Sequence, residues 1–180
     1  MEDIYDKLRN MNLRFMCTHT ANPQFLMNFI KKLNPLPDTV LEIGTFNGLS
    51  TMILAQVARR VFTFDICVRN AEFIWNLYDI RHKIGMFVGN NSQEIREEIQ
   101  DRMQQPVYLK ITGNKYNLAF IDGNHSIEAV KYDFETVKFT KRVLFHDVQK
   151  PPIGDFVKSI GGSIVHKHFG YWEKCFNAEY

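Results

Sequence analysis

The sequence predicts an α/β fold: a doubly wound, Rossmann-like, mostly parallel seven-stranded sheet with an antiparallel hairpin at its C-terminal edge. Two observations carry the parallel part. Five short, largely apolar runs alternate with stretches of helical spacing, which implies right-handed βαβ units. Those runs read as strands covered on both faces. A third observation marks the edge: after Pro151-Pro152 the pattern changes to a short helix and two further extended runs.

The elements follow in order. Residues 3–10 suit a short first helix. The stretch THTANPQFLMNFIKKL suits a second, with Asn22 as cap before Pro23 and Phe25, Leu26, Phe29, Ile30 and Leu33 at helical spacing. Pro35 and Pro37 end it. Thr39–Ile43 is the first strand, followed by a helix from about Leu49 to Ala58. The pairs RVFTFDI and NAEFIWNLYDIR, then KIGMFVG and SQEIREEIQDRMQ, repeat the unit. Gln105 to Lys115 reads as a loop. YNLAFIDG, SIEAVKYDFETVKF and RVLFHDV give the fourth strand, fourth helix and fifth strand. IGDFVKSIGG reads as a helix with a glycine stop, and SIVHKHF and KCFNAEY as strands joined by GYWE. The expected organisation is one domain over residues 1–180: helices to 38, a core over 39–148 and the edge hairpin from 149.

Length and composition set bounds. A chain of 180 residues with 45% hydrophobic and 23% charged residues has enough material for one core. Its 22 basic and 20 acidic side chains leave a net charge of +2, which argues against nucleic acid as partner. No run approaches the ~18 apolar residues of a membrane span. The N-terminus is charged and lacks the apolar run of a signal peptide. Cys17, Cys67 and Cys175 are odd in number and widely spaced, as expected of reduced thiols in a cytoplasmic protein.

In open α/β sheets, ligands sit beyond the carboxyl ends of the strands. Here those ends collect Glu42 with Gly44–Gly48, Asp65, Gly89–Gln93, Asp122–His125 and His146-Asp147. Gly44 and Gly48 permit close backbone approach, and the next helix aims its N-terminus, with Ser50 and Thr51, at the same place. That end attracts an anion. Glu42 would repel a diphosphate and favour an ammonium, so a zwitterionic amino acid meets both demands. Asp65, about 20 residues beyond Gly44, is placed to accept from the hydroxyls of a ribose. Amino acid plus ribose describes S-adenosylmethionine. NAD would want Gly-x-Gly-x-x-Gly, and a phosphate-binding loop would end in Gly-Lys-Ser/Thr; neither occurs.

VLEIGTFNGLST, FTFDI, VGNNSQEI and LAFIDGNHSIEAV with VLFHDV together resemble the class I S-adenosylmethionine-dependent methyltransferases. Within them the chain resembles the small-molecule O-methyltransferases of the catechol and caffeoyl-CoA type, and more so bacterial and phage methyltransferase-domain proteins with Asp-Gly-x-His after strand four. The resemblance spans roughly Thr20 to Val148. It implies that Glu42, Gly44, Thr45, Phe46, Gly48 and Ser50 line the methionine end of the cofactor. It also implies Asp65 on the ribose, Ile66 against adenine, and Asn91, Ser92 and Gln93 at the adenine edge. Asp122 would lie near the sulfonium.

In metal-using relatives, oxygen ligands come from the ends of strands four and five; the matching positions are Asp122, His146 and Asp147. His146 stands where an aspartate is usual, and its nitrogen suits manganese better than magnesium. Catechol-type relatives place a lysine near His125, and some sugar-modifying ones an aspartate at Asn124. With neither present, the general base is His125 or absent; the other role open to His125 is a helix cap before Ser126. The expected activity is O-methylation of a small molecule or sugar, with an acceptor site left open or completed by a second copy in a homodimer. The alternatives are a binding module without catalysis, or a methyltransferase acting on RNA or protein. His166 and His168 share strand spacing that suits a metal or plain solvation. Tyr171 and Trp172, in the expected terminal turn, would cover the acceptor pocket or pack the edge.

Overall fold

The computed structural model describes residues 23–68, 71–104 and 116–174. The expected helix at 3–10, the Asn22 cap, Cys17, His19, Cys175 and the 105–115 loop lie outside them. The described elements run α1 (Pro23–Lys32), β1 (Thr39–Ile43), α2 (Leu49–Val57), β2 (Arg60–Asp65), α3 (Ala71–Leu77), β3 (Ile84–Val88), α4 (Ser92–Gln104), β4 (Leu118–Ile121), α5 (Ile127–Val137), β5 (Arg142–Phe145), α6 (Pro151–Ser159), β6 (Ser163–His166) and β7 (Phe169–Glu173). Proline opens both α1 and α6, where its missing N–H costs nothing.

The strands form one sheet in the order β3-β2-β1-β4-β5-β7-β6. The first five pair in parallel, and β7 runs antiparallel to both β5 and β6. β1 is central and all five of its residues are buried, as its apolar run predicts. One face of the sheet packs Val40, Phe120 and Leu144 under Leu26, Ile30, Ile53 and Trp75. The other packs Leu41, Phe64 and Phe145 under Ile99, Val130, Phe134 and Val157. Phe64, Phe120, Phe145 and Phe169 are fully buried, each worth about 1.5–3 kcal/mol of hydrophobic transfer. The phenylalanine excess is thus largely core.

The hairpin differs from the sequence expectation. Its second strand is Phe169–Glu173, so GYWE lies within a strand instead of joining two. The connection is Lys167-His168. Gly170 is small for packing reasons: an added Cβ would fall 2.9 Å from Val148 Cγ1 and 3.0 Å from Val157 Cγ1. Trp172 therefore packs the edge, edge-on to Phe134 at 5.1 Å, with its indole N–H donating to the Ile160 carbonyl. Tyr171 sits against Phe29.

β1 is flanked by β2 on one side and β4 on the other, so the chain reverses its winding direction there. The crevice at such a reversal is where ligands bind. Its floor depends on Gly44, at φ 102°, whose added Cβ would lie 2.1 Å from the Asp122 carbonyl oxygen. Gly44→Ala should therefore cost about 2–4 kcal/mol, from left-handed strain plus a backbone clash. Urea denaturation measures it; a loss below about 0.5 kcal/mol would show that the strand ends are not in contact.

Candidate active site

The carboxyl ends of β1, β2, β4 and β5 open into a cavity of about 840 Å³. Gly44, Thr45, Phe46, Asn47, Ser50, Asp65, Ile66 and Ser92 line one part, and Asp122, Asn124, His125, His146, Asp147 and Lys150 the other. The volume lies within the ordinary range for a small-ligand site.

On the first side, the turn after β1 enters α2 through Gly48 at φ 74°. Gly48 is shaped by packing: a Cβ would meet Trp75 Nε1 at 2.6 Å, and that indole N–H donates to the Gly48 carbonyl at 3.0 Å. Gly48 does not line the cavity, whereas Ser50, in the first turn of α2, does. Phe46 has φ 43° and is half exposed, as is Ile66 across the opening. These two apolar side chains offer faces to a flat ring.

Asp65 sits at the end of β2 and lines the cavity, but its carboxylate is already engaged. Oδ2 accepts from the backbone N–H of Thr45 at 2.7 Å and of Phe46 at 2.6 Å. Oδ1 accepts from Ile66 and Cys67 N–H at 2.7 and 3.1 Å. Sequence spacing placed Asp65 here without revealing that it also builds the loop.

Glu42 lies beneath the loop and out of the cavity, with no exposed surface. Direct contact with an ammonium group is therefore not what its position offers. Oε2 accepts from Thr51 Oγ1 at 2.5 Å and Thr63 Oγ1 at 2.7 Å, and Thr63 Oγ1 lies 2.6 Å from Thr45 Oγ1. Oε1 has no partner among the described residues. Burial pushes the carboxyl up to about 7, against the neighbouring hydroxyls that favour its charge.

Asn91 and Gln93 are also placed elsewhere. Asn91 Oδ1 caps α4, accepting from Gln93 and Glu94 N–H at 3.0 Å each, and Gln93 Nε2 donates along the helix to Glu97. Of that trio only Ser92 reaches the cavity.

Beyond β4, Ser126 caps α5 by accepting from Ala129 N–H, and Asn124 Oδ1 accepts from Ser126 N–H. The capping role is thus filled, and His125 remains half exposed at the cavity. Its Nδ1 lies 3.0 Å from Asp147 Oδ2. Asp147 has φ 61°, and its carboxylate also accepts from Lys150 Nζ and Gln149 Nε2. His146 is buried with Nδ1 2.7 Å from Asp122 Oδ1 and 3.3 Å from Asp147 Oδ1, close but not aligned for a directed hydrogen bond. Burial opposes the imidazolium, yet the two carboxylates outweigh it and hold the His146 pKa above the ordinary histidine range.

Asp122, His146 and Asp147 therefore meet as the metal expectation required, but as an ion-pair network. Asp147 faces the Lys150 ammonium, the Gln149 amide and two imidazoles. Among the described residues, no group of three or more His, Cys, Asp or Glu is arranged to hold a metal. The histidines of the hairpin do not form one either: His166 stacks on Phe25 at 4.4 Å, and His168 lies in the turn beyond β6.

Two charged cavity residues escaped the sequence reading. Lys150 follows the last strand-end motif by three residues. Asp133 lies on the buried stripe of α5 with Val130, Phe134 and Val137, paired to Arg96 at 3.0 Å. Burial raises its pKa, and the Arg96 guanidinium opposes that. An acid at an apolar helical position was the available signal.

The methyltransferase domain family matches residues 41–148, well over half of the chain. The chain belongs to this family. No curated protein matches it significantly. Among solved structures, an O-methyltransferase of Bacillus cereus, crystallised with S-adenosylhomocysteine, superposes with a TM-score of 0.64 at 15% identity, covering 96% of this chain and 90% of that one. The O-methyltransferase TomG of Streptomyces achromogenes, involved in tomaymycin synthesis and crystallised with S-adenosylmethionine, gives 0.60 at 16% identity, over 91% and 83%. An rRNA methylase of Streptococcus thermophilus gives 0.55 at 12% identity, over 84% and 93%. At these identities the likeness is one of fold. Among the described residues, no helix of this methyltransferase is long and apolar enough to cross a membrane.

The raised Glu42 pKa has a thermodynamic consequence. Between pH 4.5, its ordinary value, and about 7, the folded chain keeps a proton that the unfolded chain has released. The stability this group contributes is full below 4.5 and lost as pH rises through 7. Glu42→Gln should match the parent near pH 4 and exceed it by on the order of 3 kcal/mol at pH 8. Urea denaturation at the two pH values tests this; a difference independent of pH would show that Glu42 titrates normally.

Proposed function

We propose that the protein is an S-adenosylmethionine-dependent methyltransferase that methylates a hydroxyl of a small molecule or sugar. The observation that carries this is the continuity of the cavity from the loop around Ser50 and Asp65 to His125. It gives a donor site and a proton-accepting side chain one shared space. Family membership and the donor-bound structural neighbours support the choice of cofactor.

The residues present fit that donor. The N-terminus of α2 with Ser50 suits a carboxylate. Phe46 and Ile66 flank space for adenine, and Asp65 orders the loop that would border the ribose. Bound S-adenosylmethionine supplies the methyl group: the carbon–oxygen bond forms as the carbon–sulfur bond breaks, its electron pair staying on sulfur. His125 takes the acceptor's hydroxyl proton, which general base catalysis makes worth about 10²–10⁴-fold in rate. Asn124 and Lys150, at the same end, orient a polar acceptor. The rRNA methylase neighbour favours an RNA acceptor as a second reading, but the net charge of +2 gives little attraction for phosphate.

Calorimetry with S-adenosylhomocysteine tests the donor site. Binding is expected, and Asp65→Ala should weaken it about 10- to 100-fold, the value of one or more hydrogen bonds to a charged group. Unchanged affinity would remove Asp65 from the site. A hydroxylated acceptor panel that includes sugars and catechols should then release S-adenosylhomocysteine. Binding with no release from any acceptor would favour a module without catalysis.

A further inference from the structure

We propose that Asp133 is a specificity-determining residue of the donor site: its Oδ2 accepts a hydrogen bond from the exocyclic amine of adenine. The proposal rests on S-adenosylmethionine as the donor. That molecule is long, with the amino acid at one end and the base at the other. α2, whose N-terminus suits the carboxylate, packs on one face of the sheet through Leu49, Met52 and Ile53. α4 and α5 cover the opposite face through Ile95, Ile99, Val130 and Phe134. Asp65 ends β2, between the two faces. A donor with its amino acid at α2 and its ribose at Asp65 therefore carries its base toward α4 and α5. Those two helices give the cavity Ser92, Ile95 and Asp133, and of the three Asp133 alone is charged. Ile43 and Phe64, from the strands beneath, line the same cavity and are apolar.

One oxygen of Asp133 is engaged and the other is not. Arg96 Nε donates to Oδ1 at 3.0 Å. The guanidinium lies over the Tyr132 ring, 5.3 Å from its centroid, and does not make the two-pronged contact that would fill both oxygens. Oδ2 has no donor among the described residues. The side chain is 5% exposed, so a partner for that oxygen comes through the cavity it lines. An added Cβ at Gly123 would stand 3.7 Å from Oδ2, and the missing side chain keeps the oxygen uncovered on the side of the β4 loop. The guanidinium favours the ionised carboxylate, which accepts hydrogen bonds and donates none. Oδ2 thus calls for a donor within an apolar part of the cavity, and adenine presents an amine on a flat ring. Asn91 and Gln93 do not compete for that amine, because Asn91 Oδ1 caps α4 and Gln93 Nε2 donates to Glu97. A keto group in place of the amine would set a second acceptor against the carboxylate.

The test is calorimetry of the full chain with S-adenosylhomocysteine and with its deaminated analogue S-inosylhomocysteine, in which a keto group replaces the amine. The parent should favour S-adenosylhomocysteine by about 10- to 100-fold, the value of a hydrogen bond to a charged group. In Asp133→Asn, Arg96 still needs an acceptor, so the amide oxygen faces Arg96 and the amide NH₂ takes the place of Oδ2. That group donates to the keto oxygen, and the preference should fall by about 10-fold or more. An Asp133 that only braces Arg96 would weaken both ligands alike, and an unchanged ratio in Asp133→Asn overturns the proposal. Equal binding of the two ligands by the parent also overturns it, with the donor site left standing. Binding of neither sinks the donor reading and the proposal with it. Where Asp133→Asn does not fold, a crystal structure of the parent with S-adenosylhomocysteine decides: an amine within about 3.2 Å of Oδ2 upholds the contact, and an amine placed elsewhere overturns it.

Discussion

The strand ends depend on one backbone contact, that of Gly44 with Asp122. A side chain at residue 44 would occupy the Asp122 carbonyl. Around this point, Asp122 N–H donates to Ile43 and Gly44 N–H to Phe64, each at 2.8 Å. β1, β2 and β4 therefore terminate at one level. The loop after β1 leaves to one side and the loop after β4 to the other. The cavity is the gap between them, so its two halves are held apart by backbone geometry and not by side-chain rotamers.

The central strands were legible because burial on both faces demands near-continuous apolar runs, and VLEI, VFTF, LAFI and VLF satisfy that locally. The hairpin was not. Gly170 reads as a turn residue in the sequence, yet it is small because Val148 and Val157 press on it from α6 and the strand-five loop. That cause lies in residues remote in sequence. Gly48 repeats the lesson: its partner is Trp75, far along the chain, and not a ligand. Sequence reasoning reached the cavity through its glycines, whose small size is demanded by Asp122 and Trp75.

The carboxylates show a related limit. Spacing put Glu42, Asp65, Asp122 and Asp147 at strand ends, but which way each faces depends on three-dimensional partners. Glu42 pairs in register with Thr63 and is met from α2 by Thr51, so it turns inward and loses water. Asp122 and Asp147 instead converge on His146, whose protonation they favour. Three nitrogen groups, from His125, His146 and Lys150, surround these two carboxylates. These partners come from the turn after β5 and the loop after β4, which no count of acids at strand ends could reveal.

Asp65 joins these threads. An ionised carboxylate offers about four lone-pair positions, and four backbone N–H groups already address this one. Two of them come from Thr45 and Phe46, so the acid at the end of β2 holds the left-handed turn at Phe46 that the glycines alone would leave loose. Any diol approaching Asp65 must share an oxygen with those amides or displace one. In either case ligand and loop compete for, or jointly fill, the same carboxylate. The shape of the loop bearing Phe46 thus depends on a single side chain, while the floor is set by the backbone contact of Gly44 with Asp122.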